Sequence, residues 1–319
     1  MKKVAVLTSG GDAPGMNAAL RAVVRTSIYH GMEVMGVRRG YSGLLNRDFV
    51  DLGISSVADI IQRGGTILHT ARCDEFFTSE GRASGLAHLK EAQVNGLIVI
   101  GGDGTFRGAL ELEKLGMPVI GIPCTIDNDI PCTDRTIGFD TAVNTVVDAI
   151  NKIRDTATSH ERAFVIEVMG RRSGFIALAA GLAGGAESIL IPEKPFDIHD
   201  IVATLKRGQD RGKKHNIIIV AEGVANAYKI SAEIHDIAQL DTRVIVLGHV
   251  QRGGTPSAGD RILASKMGAS AVQLLLKGMR KRMIAMEGNQ IFDLDLEWAL
   301  QQPHEINMED YVLSGILAI

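Results

Sequence analysis

The stretch Leu97-Ile98-Val99-Ile100-Gly101-Gly102-Asp103-Gly104-Thr105 joins a wholly apolar run to two glycines, a carboxylate and a third glycine. Four consecutive large aliphatic residues read as a strand buried on both faces, as in a parallel sheet covered by helices. The same punctuation recurs. The run 4–7 leads into Thr8-Ser9-Gly10-Gly11-Asp12-Ala13-Pro14-Gly15, and 119–122 leads towards Thr125-Ile126-Asp127-Asn128-Asp129. The run 163–168 ends in Met169-Gly170-Arg171-Arg172-Ser173-Gly174, and 244–247 in Gly248-His249-Val250-Gln251-Arg252-Gly253-Gly254. Further strands are expected at 33–37 and at 217–221, the latter ending at Glu222, with 290–294 a candidate edge strand. Helix-like stretches lie between: an Ala-rich one carrying Arg21 and Arg25 on one face, one around 109–114, and one from 140 to 154. The pattern predicts an α/β fold with largely parallel sheets.

The length of 319 residues suits two domains, and 45% hydrophobic residues suffice for their cores. A net charge of −3 argues against a general nucleic-acid binder, so arginines and lysines must act locally. Cys73, Cys124 and Cys132 form no Cys-x-x-Cys pair, which suggests a reducing cytosol. The apolar run after Met1-Lys2-Lys3 is too short for a signal-peptide core, and no stretch approaches a membrane span. A soluble cytoplasmic protein is expected, with no nucleic-acid or membrane partner.

In an open parallel sheet, ligands bind beyond the carboxyl ends of the strands. Asp103, Asp127 and Asp129 each follow such an end, so they are expected to converge. Carboxylates among glycines suit a Mg²⁺-phosphate substrate, one holding hard metal and another taking a proton. Gly10-Gly11 suits a phosphate cradle, because glycine lets backbone N–H groups approach an anion. That loop lacks the Walker and Rossmann spacings, and a tight strand-to-helix turn explains it equally well. In an extended segment Asp127 and Asp129 point the same way, while local Asx-turn geometry is the competing reading. Arg72, Arg162, Arg171, Arg243 and Arg252 fall at or near expected strand boundaries, where guanidinium forks match phosphate oxygens. Arg162 and Arg243 precede their strands, opposite Arg171 and Arg252, which points to a neighbouring subunit.

Taken together, these segments resemble ATP-dependent 6-phosphofructokinases of the bacterial type. The resemblance rests on residues 7–17, Gly101-Gly102-Asp103-Gly104-Thr105, Thr125-Ile126-Asp127-Asn128-Asp129, Glu167-Val168-Met169-Gly170-Arg171 and 247–254, in order along nearly the whole chain. It implies two Rossmann-like domains of three layers. An ATP-binding domain is expected over 1–138 and 251–304, and a fructose-6-phosphate-binding domain over 139–250 and 305–319. The implied reaction converts ATP and fructose 6-phosphate into ADP and fructose 1,6-bisphosphate, the committed step of glycolysis. By the same resemblance Asp127 is the base, and Asp103 holds Mg²⁺ with Asp129 in support. Gly11, Arg72, Thr125 and Arg171 steady the transferring phosphoryl group. Cys73, Gly102, Gly104 and Thr105 line the ATP site. Ile126, Met169, Gly170, Glu222, His249, Val250, Gln251 and Arg252 attend the sugar phosphate. Arg162 and Arg243 reach in from a neighbour within a homotetramer.

The resemblance also implies an effector site for ADP or phosphoenolpyruvate, made of Arg21, Arg25, Arg154, Gly185, Glu187, Arg211, Lys213, Lys214 and His215. From spacing alone these are two solvated basic patches. Several positions depart from the family pattern. Cys124 stands where ATP users have Gly and pyrophosphate users Lys, whereas Gly104 is the ATP-type residue. Phe175 replaces a frequent Asp, Ile54 an effector-site Arg, and Cys132 a common Gly. Competing readings are a pyrophosphate-dependent phosphofructokinase, an NAD or lipid kinase sharing the Gly-Gly-Asp-Gly loop, and a catalytically silent nucleotide-sensing subunit.

Overall fold

The computed structural model describes residues 1–160, 162–213 and 215–318. The elements run β1 (Lys3–Thr8), α1 (Met16–Tyr29), β2 (Glu33–Val37), α2 (Gly40–Leu45), β3 (Phe49–Asp51), α3 (Ser79–Glu91), β4 (Gly96–Gly101), α4 (Asp103–Lys114) and β5 (Val119–Pro123). They continue α5 (Phe139–His160), β6 (Ala163–Val168), α6 (Phe175–Gly184), β7 (Ser188–Leu190), α7 (Ile198–Asp210), β8 (Asn216–Ala221), α8 (Ala227–Ala238) and β9 (Thr242–Val246). The last are α9 (Ala258–Leu276), β10 (Arg282–Glu287), β11 (Gln290–Asp295), α10 (Leu296–Ala299) and α11 (Met308–Leu317). The chain divides into one unit of residues 1–141 and 252–304, and a second of 142–251 and 305–319.

The first unit is built on a seven-stranded sheet of order β11-β10-β5-β4-β1-β2-β3. Its central strands are parallel, and β3 and β11 close the edges antiparallel. Alternation divides each strand between two helical layers. Leu97 and Val99 join a core with Phe106, Leu110 and Leu44, while Ile98 and Ile100 are buried outside that cluster. Two glycines make the packing close. A Cβ at Gly121 would collide with the fully buried Phe106 ring, and one at Gly268 would meet Ala22 and the Ala19 carbonyl where α9 crosses α1.

The second unit has a four-stranded parallel sheet of order β7-β8-β6-β9. Val165, Ile218 and Val220 pack on one face against Ile201 and Leu205 of α7 and Ile230 and Ile234 of α8. Both units are therefore α/β, with largely parallel sheets. Among the described residues, no helix is long and apolar enough to cross a membrane.

β2 and β6 occupy the expected bounds, and β11 is the edge strand expected near 290. Three strands were not expected: β3, β7 and β10. α4 begins at Asp103 rather than near 109, because Gly101 and Gly102 already provide the turn. β9 begins at Thr242, so Arg243 lies within its first turn of pleat rather than before it. Arg72 is not at a strand boundary. It sits in the long connection before the 3₁₀ helix Asp74–Phe77.

Candidate active site

In the first unit, three loops leave the carboxyl ends of the adjacent strands β1, β4 and β5. The Cys124 N–H donates to the Gly101 carbonyl at 3.0 Å, and the Ser9 N–H to the Ile100 carbonyl at 3.1 Å. A Cβ at Gly101 would strike the Ser9 carbonyl and Thr105, and one at Gly102 would lie 3.8 Å from the Thr125 Cβ. Gly11, Gly102, Asp103, Gly104, Thr105, Thr125 and Asp127 are thus carried on neighbouring strand ends, as the sequence predicts. The Arg252 guanidinium lies against Gly11 and points at the Asp12 carbonyl at 3.4 Å. Loop 63–69 is laced to the same edge: Asn17 bonds the Arg63 and Gly64 carbonyls, and the Thr8 hydroxyl bonds that of His69. Arg72 and Cys73 follow that loop.

The Asp127 segment is not extended. Asn128 has φ 51 and forms a left-handed turn, so the reading that Asp127 and Asp129 point the same way along a strand is corrected. Local turn chemistry prevails: the Asp127 N–H donates to the Thr125 hydroxyl at 3.2 Å. Buried Asn128 holds the loop through its side chain. Its Oδ1 accepts from the Thr136 N–H at 2.8 Å, and its Nδ2 donates to the Asp134 carbonyl at 3.1 Å. Asp127 is only 2% exposed, while Asp129 is half-buried. Sequence reasoning had no signal for Thr136, nor for His304, whose Nε2 lies 2.7 Å from the Asn128 carbonyl oxygen. It also missed buried Tyr41, whose hydroxyl donates to the Thr105 carbonyl at 2.5 Å, with burial pushing its pKa up.

Asp103 is the first residue of α4 and pairs with Arg107 at 2.8 Å. Among the described residues, no three His, Cys, Asp or Glu side chains gather into a cation cage. Accessible hard carboxylates such as Asp103 and Asp129 fit Mg²⁺, which takes one or two carboxylates and completes its shell with water and substrate phosphate. Gly104 has no positive φ, and a Cβ there would touch nothing, so the space before the first turn of α4 is open. Cys124 is buried, and burial keeps its thiol protonated, with Asp260 and Asp12 acting in the same direction. Cys132 takes φ 63, the left-handed region that glycine favours.

In the second unit, the turn after β6 has positive φ at Gly170 and Arg171. Glu222 Oε1 accepts the N–H of Arg171 at 2.7 Å and of Gly170 at 3.2 Å. Gln251 is fully buried: its Oε1 accepts the Met169 N–H and its Nε2 donates to the Gly248 carbonyl. Its side chain therefore braces the turn. His249 and Val250 are exposed on the 3₁₀ helix Gly248–Arg252. At the opposite edge of the sheet, Asp241 lies 3.2 Å from Arg243 and 4.0 Å from Arg162. Phe175 opens α6, and Gly174 before it donates to Glu193 at 2.9 Å.

The expected effector residues of the second unit also gather. Arg154 bonds the Gly184 and Gly185 carbonyls and lies 3.3 Å from His215 Nε2. Buried Glu187 pairs with Lys213 at 2.6 Å and accepts the Ile217 N–H. Arg211 folds back on the Arg207 carbonyl at the end of α7. Lys214 lies outside the described residues. Arg21 and Arg25 belong to the first unit, on α1, with the Arg25 Nε buried and unpartnered. Ile54 is exposed before the 3₁₀ helix Ser55–Val57.

Residues 3–275 match the family model described as Phosphofructokinase. The chain is 58% identical to an "ATP-dependent 6-phosphofructokinase" of Halothermothrix orenii and 60% identical to one of Bacillus licheniformis, each over the full length of both chains. Among solved structures it superposes on a phosphofructokinase from Saccharomyces cerevisiae with TM-score 0.89 and 37% identity. That alignment covers 94% of this chain and 45% of the yeast chain, so this chain spans less than half of the yeast one.

Proposed function

Because the chain belongs to the phosphofructokinase family, we propose that it transfers the γ-phosphoryl group of ATP to the 1-hydroxyl of D-fructose 6-phosphate. The products are ADP and fructose 1,6-bisphosphate, in the committed step of glycolysis. The observation that carries this reading is the set of strand-end loops that presents Gly11, Gly102–Thr105 and Asp127 from three adjacent strands. Full-length relatives named as ATP-dependent support the donor, as does the open space at Gly104.

The residues 1–138 and 251–304 hold ATP, through Gly11, Arg72, Cys73, Gly102, Asp103, Gly104 and Thr105. The residues 139–250 and 305–319 hold the sugar phosphate, through Met169, Gly170, Arg171, Glu222, His249 and Val250, with Gln251 and Arg252 attending the same substrate. Asp127 accepts the proton of the 1-hydroxyl. A positioned base contributes about 10²–10⁴-fold, or roughly 3–5 kcal/mol of barrier. The Gly11 N–H, Arg72, Thr125 and Arg171 hold the phosphoryl oxygens in line, since this chemistry depends on alignment and charge stabilisation. Asp103 and Asp129 would hold Mg²⁺, whose charge would neutralise the ATP phosphates when bound.

Arg162 and Arg243 serve a neighbouring subunit's sugar site within a homotetramer. Their place at the amino end of the second sheet, with β9 an open edge strand, supports that reading. Arg21, Arg25, Arg154, Gly185, Glu187, Arg211, Lys213, Lys214 and His215 take ADP or phosphoenolpyruvate as effector, and the enzyme works in the cytoplasm.

The test is fructose 1,6-bisphosphate formation by purified protein with fructose 6-phosphate and Mg²⁺, supplied with ATP or pyrophosphate in parallel. Turnover with ATP, falling about 10²–10⁴-fold in Asp127→Asn while substrate binding survives, is expected. Turnover with pyrophosphate alone would overturn the donor. No turnover with either would overturn the reaction, and wild-type-like kcat in the variant would remove Asp127 from the base role.

A further inference from the structure

Gln251 is fully buried, yet it stands in a segment that attends the sugar phosphate. A side chain sealed from solvent offers a substrate no polar atom, so its part in binding is indirect. β6 and β9 pair in parallel from Ala163 beside Thr242 to Glu167 beside Val246, and the Leu247 N–H adds one rung to the Glu167 carbonyl at 3.1 Å. Along a strand, alternate residues turn their main-chain groups to the same side, so the Met169 N–H faces β9 as the Glu167 carbonyl does. At that level the chain leaving β9 has already turned: Gly248 has φ 53 and opens the 3₁₀ helix Gly248–Arg252. Gln251 Oε1 supplies the next rung instead, accepting the Met169 N–H at 3.2 Å. Its Nε2 donates to the Gly248 carbonyl, three residues back, at 3.0 Å. That local bond sets which end of the amide faces β6. Turned over, the amide would oppose N–H to N–H and carbonyl to carbonyl.

Resting on the kinase reading above, we infer that Gln251 is a positioning residue for fructose 6-phosphate: its amide extends the β6–β9 ladder by one side-chain rung and holds the 3₁₀ helix beside the turn after β6. Ligands of open parallel sheets lie beyond the carboxyl ends of the strands. Met169, Gly170 and Arg171 leave one such end, and His249 and Val250 leave its neighbour. The Glu222 carboxylate holds the first segment from within, through the Gly170 and Arg171 N–H groups. Gln251 acts between the two segments, reaching a residue 82 positions away. Two segments that grip one sugar phosphate bind it best when their spacing is set beforehand, because ordering them on binding costs affinity. Loss of the rung should therefore weaken fructose 6-phosphate binding and leave ATP, which other strand ends hold, unaffected.

The experiment compares full-length wild type, Gln251→Met and Gln251→Asn with ATP, Mg²⁺ and fructose 6-phosphate. Met fills nearly the same volume without an amide, and Asn carries the amide on a side chain one methylene too short to make both bonds. Both variants are expected to raise the apparent KM for fructose 6-phosphate about five- to fiftyfold, with KM for ATP within about twofold and kcat falling less than KM rises. A further measurement needs wild type alone: a crystal structure with fructose 6-phosphate bound, in which no substrate atom lies within hydrogen-bond distance of the Gln251 amide. A wild-type KM for fructose 6-phosphate in a folded Met variant overturns the inference, because packing would then suffice. An equal rise in KM for ATP overturns it too, since the damage would then be general. A substrate atom bonded to the amide makes Gln251 a direct ligand and refutes the positioning role, whether or not the variants fold. An inactive wild type overturns the kinase reading, and this inference with it.

Discussion

Glu222 Oε1 accepts the main-chain N–H of Arg171 at 2.7 Å, and the same oxygen accepts that of Gly170 at 3.2 Å. The two amides belong to a turn in which Gly170 has φ 147 and Arg171 φ 54. Parallel pairing of β6 with β8 places Val168 beside Ala221, so Glu222 emerges opposite the turn it caps. The carboxylate thus aims Arg171 through the backbone. Hydrogen bonds to a charged group are worth about 1.5–3 kcal/mol. Glu222→Ala should therefore weaken apparent fructose 6-phosphate affinity by about ten- to a hundredfold, at 1.4 kcal/mol per decade. Glu222→Gln keeps one acceptor and should lose less. Steady-state titration of fructose 6-phosphate measures both, and an unchanged affinity in the Ala variant would contradict the role.

The ion pair between Asp103 and Arg107 bears on metal use. Arg107 lies one turn along α4, its Nε 2.8 Å from Asp103 Oδ2. The pair raises the Arg107 pKa, so the guanidinium stays charged at any working pH. A cation that takes Asp103 must compete with it. Both side chains are substantially exposed, so the competition is modest and screened by salt. Arg107→Gln should lower the Mg²⁺ concentration for half-maximal rate by about two- to fivefold at low ionic strength, with the difference shrinking in added salt. An identical Mg²⁺ dependence would remove Asp103 from the metal's shell or Arg107 from the competition.

What was legible in the sequence follows the range of the forces. β6 and β2 could be bounded because apolar runs end abruptly against charge or glycine. β3 and β7 have three residues each, and one pairing partner cannot imprint a pattern on so short a segment. The strand-end glycines and carboxylates were legible because parallel sheets put sites there by topology. The conformation of the Asp127 segment was not, since its left-handed turn at Asn128 is imposed by Thr136 and His304. Arg72 was misplaced for a similar reason. Its loop is ordered by Asn17 and Thr8, which bond residues about 50 positions away in the sequence.

At the amino edge of the second sheet, Arg162 and Arg243 converge on Asp241. Half-exposed Arg243 keeps donors available for a phosphate, because a guanidinium has five N–H groups and Asp241 occupies few of them. Arg243→Ala is expected to weaken fructose 6-phosphate binding by about 1.5–3 kcal/mol with little change in ATP affinity. Mixing Arg243→Ala chains with Asp127→Asn chains tests whose site the arginine serves. If it serves a neighbour, hybrid oligomers should regain sites with an intact base and an intact arginine, and activity should rise above that of either parent. No rise in hybrids would place Arg243 in its own subunit's site.

His215 gives stability a pH dependence whose sign the contacts fix. Its Nε2 faces Arg154 at 3.3 Å and its Nδ1 faces the Thr158 hydroxyl at 3.1 Å. The neutral ring can accept from Arg154 and donate to Thr158, whereas a protonated ring would face a guanidinium with no lone pair to offer. Partial burial, then Arg154, lowers the pKa; Glu187 opposes them and Lys213 adds to the lowering. The unfolded chain has its His near 6.5. Between the folded value and 6.5 the unfolded state binds more protons, so stability rises with pH across that window and is lost as pH falls through it. Denaturant titrations at pH 7.5 and 5.5 should show wild type losing more stability on acidification than His215→Gln, which has no proton to take up. The comparison between the two chains isolates this residue from the other histidines. Parallel losses in both would mean that His215 is protonated as readily in the fold as outside it, and that the Arg154 contact leaves its charge state alone.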